Sequence, residues 1–355
     1  MKPVTVPFFI SHQGCPHTCV FCDQHTISGS AGILPTPDEI LSKVEAWRQS
    51  SGDRPLDAAF FGGTFTALDE ADQQRLLDPL QPLLARGVVR SVRISTRPDC
   101  LDGYRADWLR ERGVTTVELG VQSLDGHVLA ASGRGHTAAA SVAAILLLKE
   151  RGMTVVAQLM PGLPEDTPRS SLNSLEGVVD AGADVLRIYP AVVLAGTDLD
   201  RLWREGRYRP LGLDEGIALC AVLLQRAMAR SVPVLRIGLQ ADQGLTDDTA
   251  VAGCWHPALG ELVLSRLYGD LLMRLCSEAP PLEALLISCH PSRVSAVAGH
   301  GRCNLKRVAH GRRCRVIADI LLENDEVMVN FLDRQIKGSV IADLDYNLQM
   351  RCNNA

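Results

Sequence analysis

Three thiols lie within eight residues near the start of this chain: Cys15, Cys19 and Cys22 in SHQGCPHTCVFCDQ (11–24), spaced C-x3-C-x2-C. Thiolates are soft ligands that suit zinc, copper or iron–sulfur clusters. A structural zinc ion would take His12, His17 or His25 as its fourth ligand. Zinc sites usually use two separated C-x2-C knuckles, however, and no second pair occurs here. Three thiolates can instead hold three irons of a 4Fe–4S cube. The fourth iron is then open to a substrate or cofactor, which a four-thiolate cluster binds less readily.

A second feature is FFGGTFT (60–66), just after an apolar run. Adjacent glycines let a ligand approach the backbone, whose exposed N–H and C=O groups can hold an ammonium or a carboxylate. Taken alone, the pair reads equally as a tight turn between a strand and a helix. Arg134, in SGRGHT (132–137), offers a fork of donors suited to a carboxylate; it also reads as a solvent-exposed arginine in a Gly-rich loop.

C-x3-C-x2-C at the end of a first β-strand is similar to the signature of the radical S-adenosylmethionine enzymes. GGTFT, STRPD (95–99), ELGVQS (118–123), SGRGHT and MPGLP (160–164) follow in that order. Together they resemble the radical domain of the elongator catalytic subunit family and, more loosely, oxygen-independent coproporphyrinogen III oxidase, over about residues 6–240. The resemblance implies a 4Fe–4S cluster on Cys15, Cys19 and Cys22, whose open iron chelates the amino and carboxylate groups of S-adenosylmethionine. One electron, from a donor such as flavodoxin or ferredoxin, would then cleave the sulfonium and yield a 5′-deoxyadenosyl radical that abstracts hydrogen from a substrate. The resemblance also implies that Phe21 packs near the adenine and that Gly62, Gly63 and Thr64 meet the methionine amino group. Gln122 and Arg134, twelve residues apart as in the oxidase family, would contact the cofactor. Two positions depart from the oxidase pattern. Ser95 replaces a glutamate after the third strand and Gln158 replaces an aspartate at the end of the fifth, so the ribose and methionine contacts are expected to be rearranged. Glu118 could supply a carboxylate instead, or point into a helix-packing face. Tyr189 and Pro190 fall where the sixth strand usually meets adenine, although Tyr189 also reads as core.

These residues need strand ends to hold them. Apolar, β-rich runs occur at 4–10, 56–61, 91–95, 115–121, 154–160 and 183–189. Segments of helical period lie between them at 37–49, 69–85, 102–112, 138–151, 168–181 and 213–230. Thr36, Pro37 and Glu39 match a capping box with proline at the first helical position. Strands buried on both faces and alternating with helices indicate parallel β/α units, which close into a partial barrel or an open doubly wound sheet. In either, a site lies at the C-terminal ends of the strands. With the resemblance, the expected fold class is α/β: a partial (β/α)6 barrel of radical SAM type over 1–245, followed by a small C-terminal α+β subdomain over 246–355.

The C-terminal region behaves differently. A helix is expected over 259–276, and LEALLIS, RCRVIADILL and EVMVNFL suit a small sheet. The elongator family carries an acetyltransferase domain whose fold needs a Q/R-x-x-G-x-G/A loop at a helix start. Residues 241–355 show none, GHGRC (299–303) being the nearest pattern, so acetyl-CoA chemistry is not implied. Cys254, His256, Cys289, His290, His300, Cys303, His310 and Cys314 include no C-x2-C pair and read as core or surface residues. RCNLKRVAHGRRCR (302–315) holds Arg302, Lys306, Arg307, Arg312, Arg313 and Arg315. It is a solvated edge or a contact for the phosphates of tRNA or another RNA. It lacks interleaved aromatics, so base stacking has no platform.

Composition narrows the class. The net charge of −5 argues against attraction of the whole protein to nucleic acid, leaving only local patches. No apolar run reaches the roughly 18 residues that cross a bilayer, and the N-terminus has no signal-peptide core, so a cytoplasmic protein with no membrane partner is expected. Eleven scattered cysteines fit metal binding and buried thiols in a reducing compartment better than a disulfide framework. The expected function is a radical S-adenosylmethionine enzyme acting on an unidentified substrate, RNA among the candidates. Two alternatives stay open: a porphyrin-related or haem-handling relative, and a non-catalytic metal-binding interaction protein.

Overall fold

The structure is a computed structural model and describes residues 3–29, 32–239, 245–246, 248–279, 283–309 and 311–346. Within 1–239 it contains β1 (Val4–Phe9), β2 (Leu56–Phe61), β3 (Val89–Thr96), β4 (Val114–Gln122), β5 (Thr154–Leu159), β6 (Val185–Ile188), β7 (Val192–Leu194) and β8 (Val234–Ile237). Seven of these form one sheet in the order β1-β2-β3-β4-β5-β6-β8, and every pairing in it is parallel. This is a half-barrel with helices between successive strands, as parallel crossovers require.

Paired residues in a ladder point to the same side of a sheet, so the register sorts the two faces. Phe8 pairs with Phe60, Phe60 with Ile94, Ile94 with Val117, and Leu119 with Ala157. All are buried and lie on the helix side, where Phe8 and Phe60 stack with ring centroids 5.2 Å apart. On the other face Phe9 pairs with Phe61, Ala59 with Arg93, Ser95 with Glu118, and Gln158 with Arg187. That face is largely polar from β3 onward. At the edge, Pro7 sits in β1 opposite Ala59.

The helix read over 69–85 is broken. The chain forms Glu70–Leu77, a tight turn at Asp78–Leu80 and Gln81–Ala85. Pro79 and Pro82 lack the N–H groups a continuous helix would use. The helix Pro37–Ser51 carries the expected box: Thr36 Oγ1 accepts from Glu39 N at 3.3 Å, and Glu39 Oε2 accepts from Thr36 N at 2.7 Å.

The chain divides into two compact units, residues 1–211 with 233–253, and 212–232 with 254–355. The first includes β9 (Ala250–Gly253), which pairs antiparallel with β7. The helix Leu213–Ala229, read from the sequence as the last of the β/α series, packs instead on Leu259–Leu275 in the second unit. That unit has a four-stranded sheet, in the order β11-β10-β12-β13, of β10 (Leu285–Cys289), β11 (Cys314–Ala318), β12 (Glu326–Phe331) and β13 (Arg334–Ser339). β13, with Gln335 and Lys337 among its exposed residues, had no apolar signal to reveal it. The DQGLTDD loop lies mostly outside the described residues.

Replacing Thr36 by alanine removes one side of a reciprocal cap and should lower stability by about 1 kcal/mol. An unchanged midpoint in urea unfolding would show that the cap contributes nothing.

Candidate active site at the strand ends

The chain leaves β1 at Ile10 and turns into the segment that carries the three thiols. The Gly-Gly turn after β2 packs directly on it. Thr64 N donates to Gln13 O at 2.9 Å, and the Thr64 hydroxyl lies 3.4 Å from Cys15 Sγ. A methyl group at Gly63 would stand 2.5 Å from Gln13 O and 2.6 Å from Ile10 O, so only glycine permits this approach. Gly14, at φ +72°, comes as close to Thr64 O from the other side. The two loops therefore fix each other, and the turn through Gly62, Gly63 and Thr64 stands beside Cys15.

Arg134 ties the thiol segment to the end of β4. It is only 6% exposed, contrary to its reading as a solvent-exposed loop residue. Its Nη1 donates to Cys19 Sγ at 3.2 Å and its Nη2 to Gly120 O at 2.5 Å. Gly120 has no side chain to displace the guanidinium: a Cβ there would lie 3.1 Å from Arg134 Nη2. Arg97, which sequence reasoning passed over, steadies the arrangement. It makes a two-pronged ion pair with Asp99 at 3.0 and 2.9 Å, and its Nη2 reaches Arg134 O at 2.5 Å. The STRPD motif held the clue, as an arginine two residues before an aspartate at a strand end. Gln122 ends β4 at φ +67°, uncommon for a side-chain-bearing residue, and its Oε1 receives a long 3.5 Å hydrogen bond from Gln158 Nε2.

The remaining candidates fall around this centre. Phe21 is buried with Cys19, Met160, Leu163, Ala191 and Tyr208 in one apolar cluster, against which Cys22 and Tyr189 pack. Pro190 is buried and adjoins it through Ala191. Ser95 is half-buried on the polar face beside Glu118. Glu118 does not point at a helix: its Oε1 accepts from Arg93 and Arg187 on that same polar face. Of the alternative metal-binding histidines, His12 accepts from Gln24 N at 2.9 Å and stacks near His25, and the His17 ring lies against Gly135. Among the described residues no three His, Cys, Asp or Glu side chains converge as the ligands of one metal ion. In the C-terminal group, Cys254 and Cys289 are buried, His256 and His300 stand edge to face, and His310 lies outside the described residues.

The electrostatics suit a bound cationic cluster and an anionic cofactor group. Burial, then the neighbouring Cys19 and Cys15, push the Cys22 thiol up to about 12. Without a cation, the neighbouring sulfurs oppose ionisation of Cys22, and a metal cluster relieves that opposition. Two buried donors around Arg134 have no partner, Arg97 Nη1 and Arg134 Nε; the buried His136 Nδ1 is also unpartnered, but as an acceptor, since the ring donates through Nε2 toward Val121 O. Unsatisfied donors buried at a strand end are poised for a ligand carboxylate.

The model of the radical SAM superfamily matches residues 9–176, and that of the radical SAM C-terminal domain matches residues 183–269. The chain belongs to the radical SAM superfamily. The cofactors of this radical SAM chain are a 4Fe–4S cluster and S-adenosylmethionine, for which Cys15, Cys19 and Cys22 and the unpartnered buried donors of Arg97 and Arg134 are the candidate residues. It is 30% identical over 299 residues to a tRNA uridine(34) acetyltransferase of Methanocaldococcus jannaschii, covering 73% of this chain and 54% of that protein. It is likewise 30% identical over 300 residues to human elongator complex protein 3, covering 71% and 54%. The chain thus spans about half the length of these curated relatives. An uncharacterized protein of M. jannaschii is 28% identical over 273 residues, 74% of this chain and 82% of that one. Among solved structures, the archaeal Elp3 of Methanocaldococcus infernus shares the fold at a TM-score of 0.61 and 22% identity, covering 80% of this chain and 70% of that one.

Two outcomes follow from this geometry. Arg134→Ala should keep an intact cluster and bind S-adenosylmethionine about 10- to 150-fold more weakly, as loss of a charged hydrogen-bond partner costs about 1.5–3 kcal/mol. Calorimetry on the reconstituted protein checks this, and equal affinity would remove Arg134 from the cofactor contacts. The second concerns pH. Burial, then the charges of Arg134 and Arg97, depress His136 from 6.5 to about 4. Between those values the unfolded chain binds a proton that the folded chain does not, so stability present above 6.5 is lost as pH falls toward 4. His136→Gln should flatten the slope of stability between pH 5 and 6.5 by up to about 1.4 kcal/mol per pH unit. Identical slopes in urea unfolding would mean His136 titrates normally.

Proposed function

We propose that this chain is a radical S-adenosylmethionine enzyme that modifies RNA, with tRNA as the favoured substrate. The single observation that carries the radical part is the bond from Arg134 to both Cys19 Sγ and Gly120 O, which puts a carboxylate-binding fork beside the thiol set. When bound, the cluster and S-adenosylmethionine supply one-electron cleavage of a sulfonium and hydrogen abstraction by the fragment released.

The chain's own residues have separable tasks. Cys15, Cys19 and Cys22 hold the cluster. Arg134 and the backbone of Gly62, Gly63 and Thr64 orient the amino-acid end of the cofactor, with Arg97 keeping Arg134 in place. Gln122 offers an amide as the oxidase family does, and Ser95 and Gln158 stand where that family carries acids for its ribose and methionine contacts. Phe21, Pro190 and the apolar cluster around them exclude water from the adenine side. The electron comes from a donor such as flavodoxin or ferredoxin. Among the described residues no helix is long and apolar enough to cross a membrane, and we place the activity in the cytoplasm.

The RNA part rests on two supports. Relatives at 30% identity carry names that specify tRNA or the elongator complex. In the second unit, Arg302, Lys306, Arg307, Arg313 and Arg315 are exposed on or beside the helix Cys303–Ala309 and β11, and none of them pairs with a carboxylate among the described residues. Arg312 is half-buried, its Nε donating to Ala309 O at 3.2 Å. Unpaired surface cations are free to displace counterions from a phosphate backbone.

Wild-type protein, reduced anaerobically, should release 5′-deoxyadenosine from S-adenosylmethionine, and RNA from cells lacking the gene should lose a modified nucleoside by mass spectrometry. Glutamine at Arg302, Lys306 and Arg307 together should weaken RNA binding. It should also lower the slope of log affinity against log salt by about 0.7 for each single-strand phosphate no longer neutralised. RNA binding by the wild type that shows no dependence on salt, or none at low ionic strength, would defeat the RNA reading.

A further inference from the structure

Apart from Ser95 and Gln158, the polar face of the half-barrel is left unused by the cofactor residues. Strands of parallel sheets usually read as near-continuous apolar runs. Here one face carries Arg93, Glu118, Gln158, Arg187, Tyr189 and Arg236. Glu118 is 4% exposed, and its Oε1 alone accepts from Arg93 Nη1 at 2.9 Å and from Arg187 Nη2 at 3.1 Å. Arg187 Nη1 donates to the Tyr189 hydroxyl at 2.5 Å, while its Nε is buried with no partner. Arg236 stands next to Arg187 in register. Asp57, nearer the N-terminal ends of the strands, is committed to Arg90 and Ser91.

Two guanidiniums therefore share one carboxylate, and Arg236 beside them makes no ion pair among the described residues, so this face carries two positive charges in excess. A network built only for stability would balance them, because uncompensated charge shielded from water is costly. The rings of Phe61 and Tyr189 flank Arg187 at 5.8 and 6.0 Å and narrow the access of water to it. Gln158, paired with Arg187 across β5 and β6, reaches Gln122 at the strand ends, so this face is continuous with the cofactor residues.

We propose that this inner face is an oxyanion site for the substrate, in which Arg187, with Arg93 and Arg236, holds a phosphate or carboxylate. Glu118 Oε1 occupies one donor of each of Arg93 and Arg187 and so competes with the anion for these forks. The proposal deepens the radical-enzyme reading, which supplies the reason for a substrate to lie there.

The test titrates the full chain, without S-adenosylmethionine, with sodium phosphate or sodium acetate against sodium chloride at equal ionic strength. Thermal stability is the readout, since an anion that binds the folded state raises it. Wild type should be stabilised above the chloride control. Arg187→Gln should lose at least about tenfold in anion affinity, the scale of one charged hydrogen-bond partner. Glu118→Gln removes the competing carboxylate and should bind the anion more tightly, whereas a purely structural ion pair would only lose stability. Should Arg187→Gln fail to fold, Arg236→Gln and Glu118→Gln decide. Stronger stabilisation by phosphate marks a phosphorylated substrate group, and stronger stabilisation by acetate marks a carboxylate; either upholds the site. Flat titrations in the wild type overturn it. So does stabilisation that survives in both Arg187→Gln and Arg236→Gln, which would belong to the exposed cations of the second unit. Failure of the radical reading is seen separately, as absence of 5′-deoxyadenosine from the reduced wild type.

Discussion

The arrangement depends on one guanidinium. Arg134 reaches from a loop after β4 to a thiol in the segment after β1 and to a carbonyl within β4. Those segments are more than a hundred residues apart in sequence, and β2 and β3 separate their strands in the sheet. A lysine could make one of the two contacts as a point charge, but only a planar fork spans both. The requirement propagates outward. Position 120 must lack a side chain, Arg97 must hold the Arg134 carbonyl, and the Gly-Gly turn must bring Thr64 against Cys15 from the other side.

Much of this was legible because local chemistry demands particular residues. A capping box needs Thr, Pro and Glu at fixed offsets, and the helix at 37 starts where they stand. Strands of the parallel sheet announce themselves through their helix-side residues, such as Val117, Leu119 and Val121 in β4. The cysteine spacing and the glycine pair are similarly local. What stayed hidden is set by register, which no local pattern encodes. Arg93, Glu118 and Arg187 come from three strands and meet only because β3 to β6 align as they do. Their one local signal was a charged residue inside a run otherwise suited to a fully buried strand. The same limit explains the helix Leu213–Ala229: its period predicts a helix, but the partner that buries it lies some forty residues on, in Leu259–Leu275.

The two faces of the half-barrel sheet divide its labour. The helix-side face is a packed apolar layer in which Phe8, Phe60 and Ile94 lie in register and hold the strands at fixed heights. The strand ends then place Gly62, Ser95 and Gln122 along one rim. Because the rim inherits its precision from that layer, a cavity opened beneath Phe60 would be felt as misalignment at the thiols as well as reduced stability.

An open barrel also has an edge. Among the described residues β1 pairs with β2 alone, and an unpaired parallel strand is a template on which another chain can add a strand. Pro7 lies in the middle of that strand and carries no N–H to offer. The proline that sits in β1 opposite Ala59 thus acts as a guard against self-association. The sheet can stay open toward a substrate without inviting a second copy to close it.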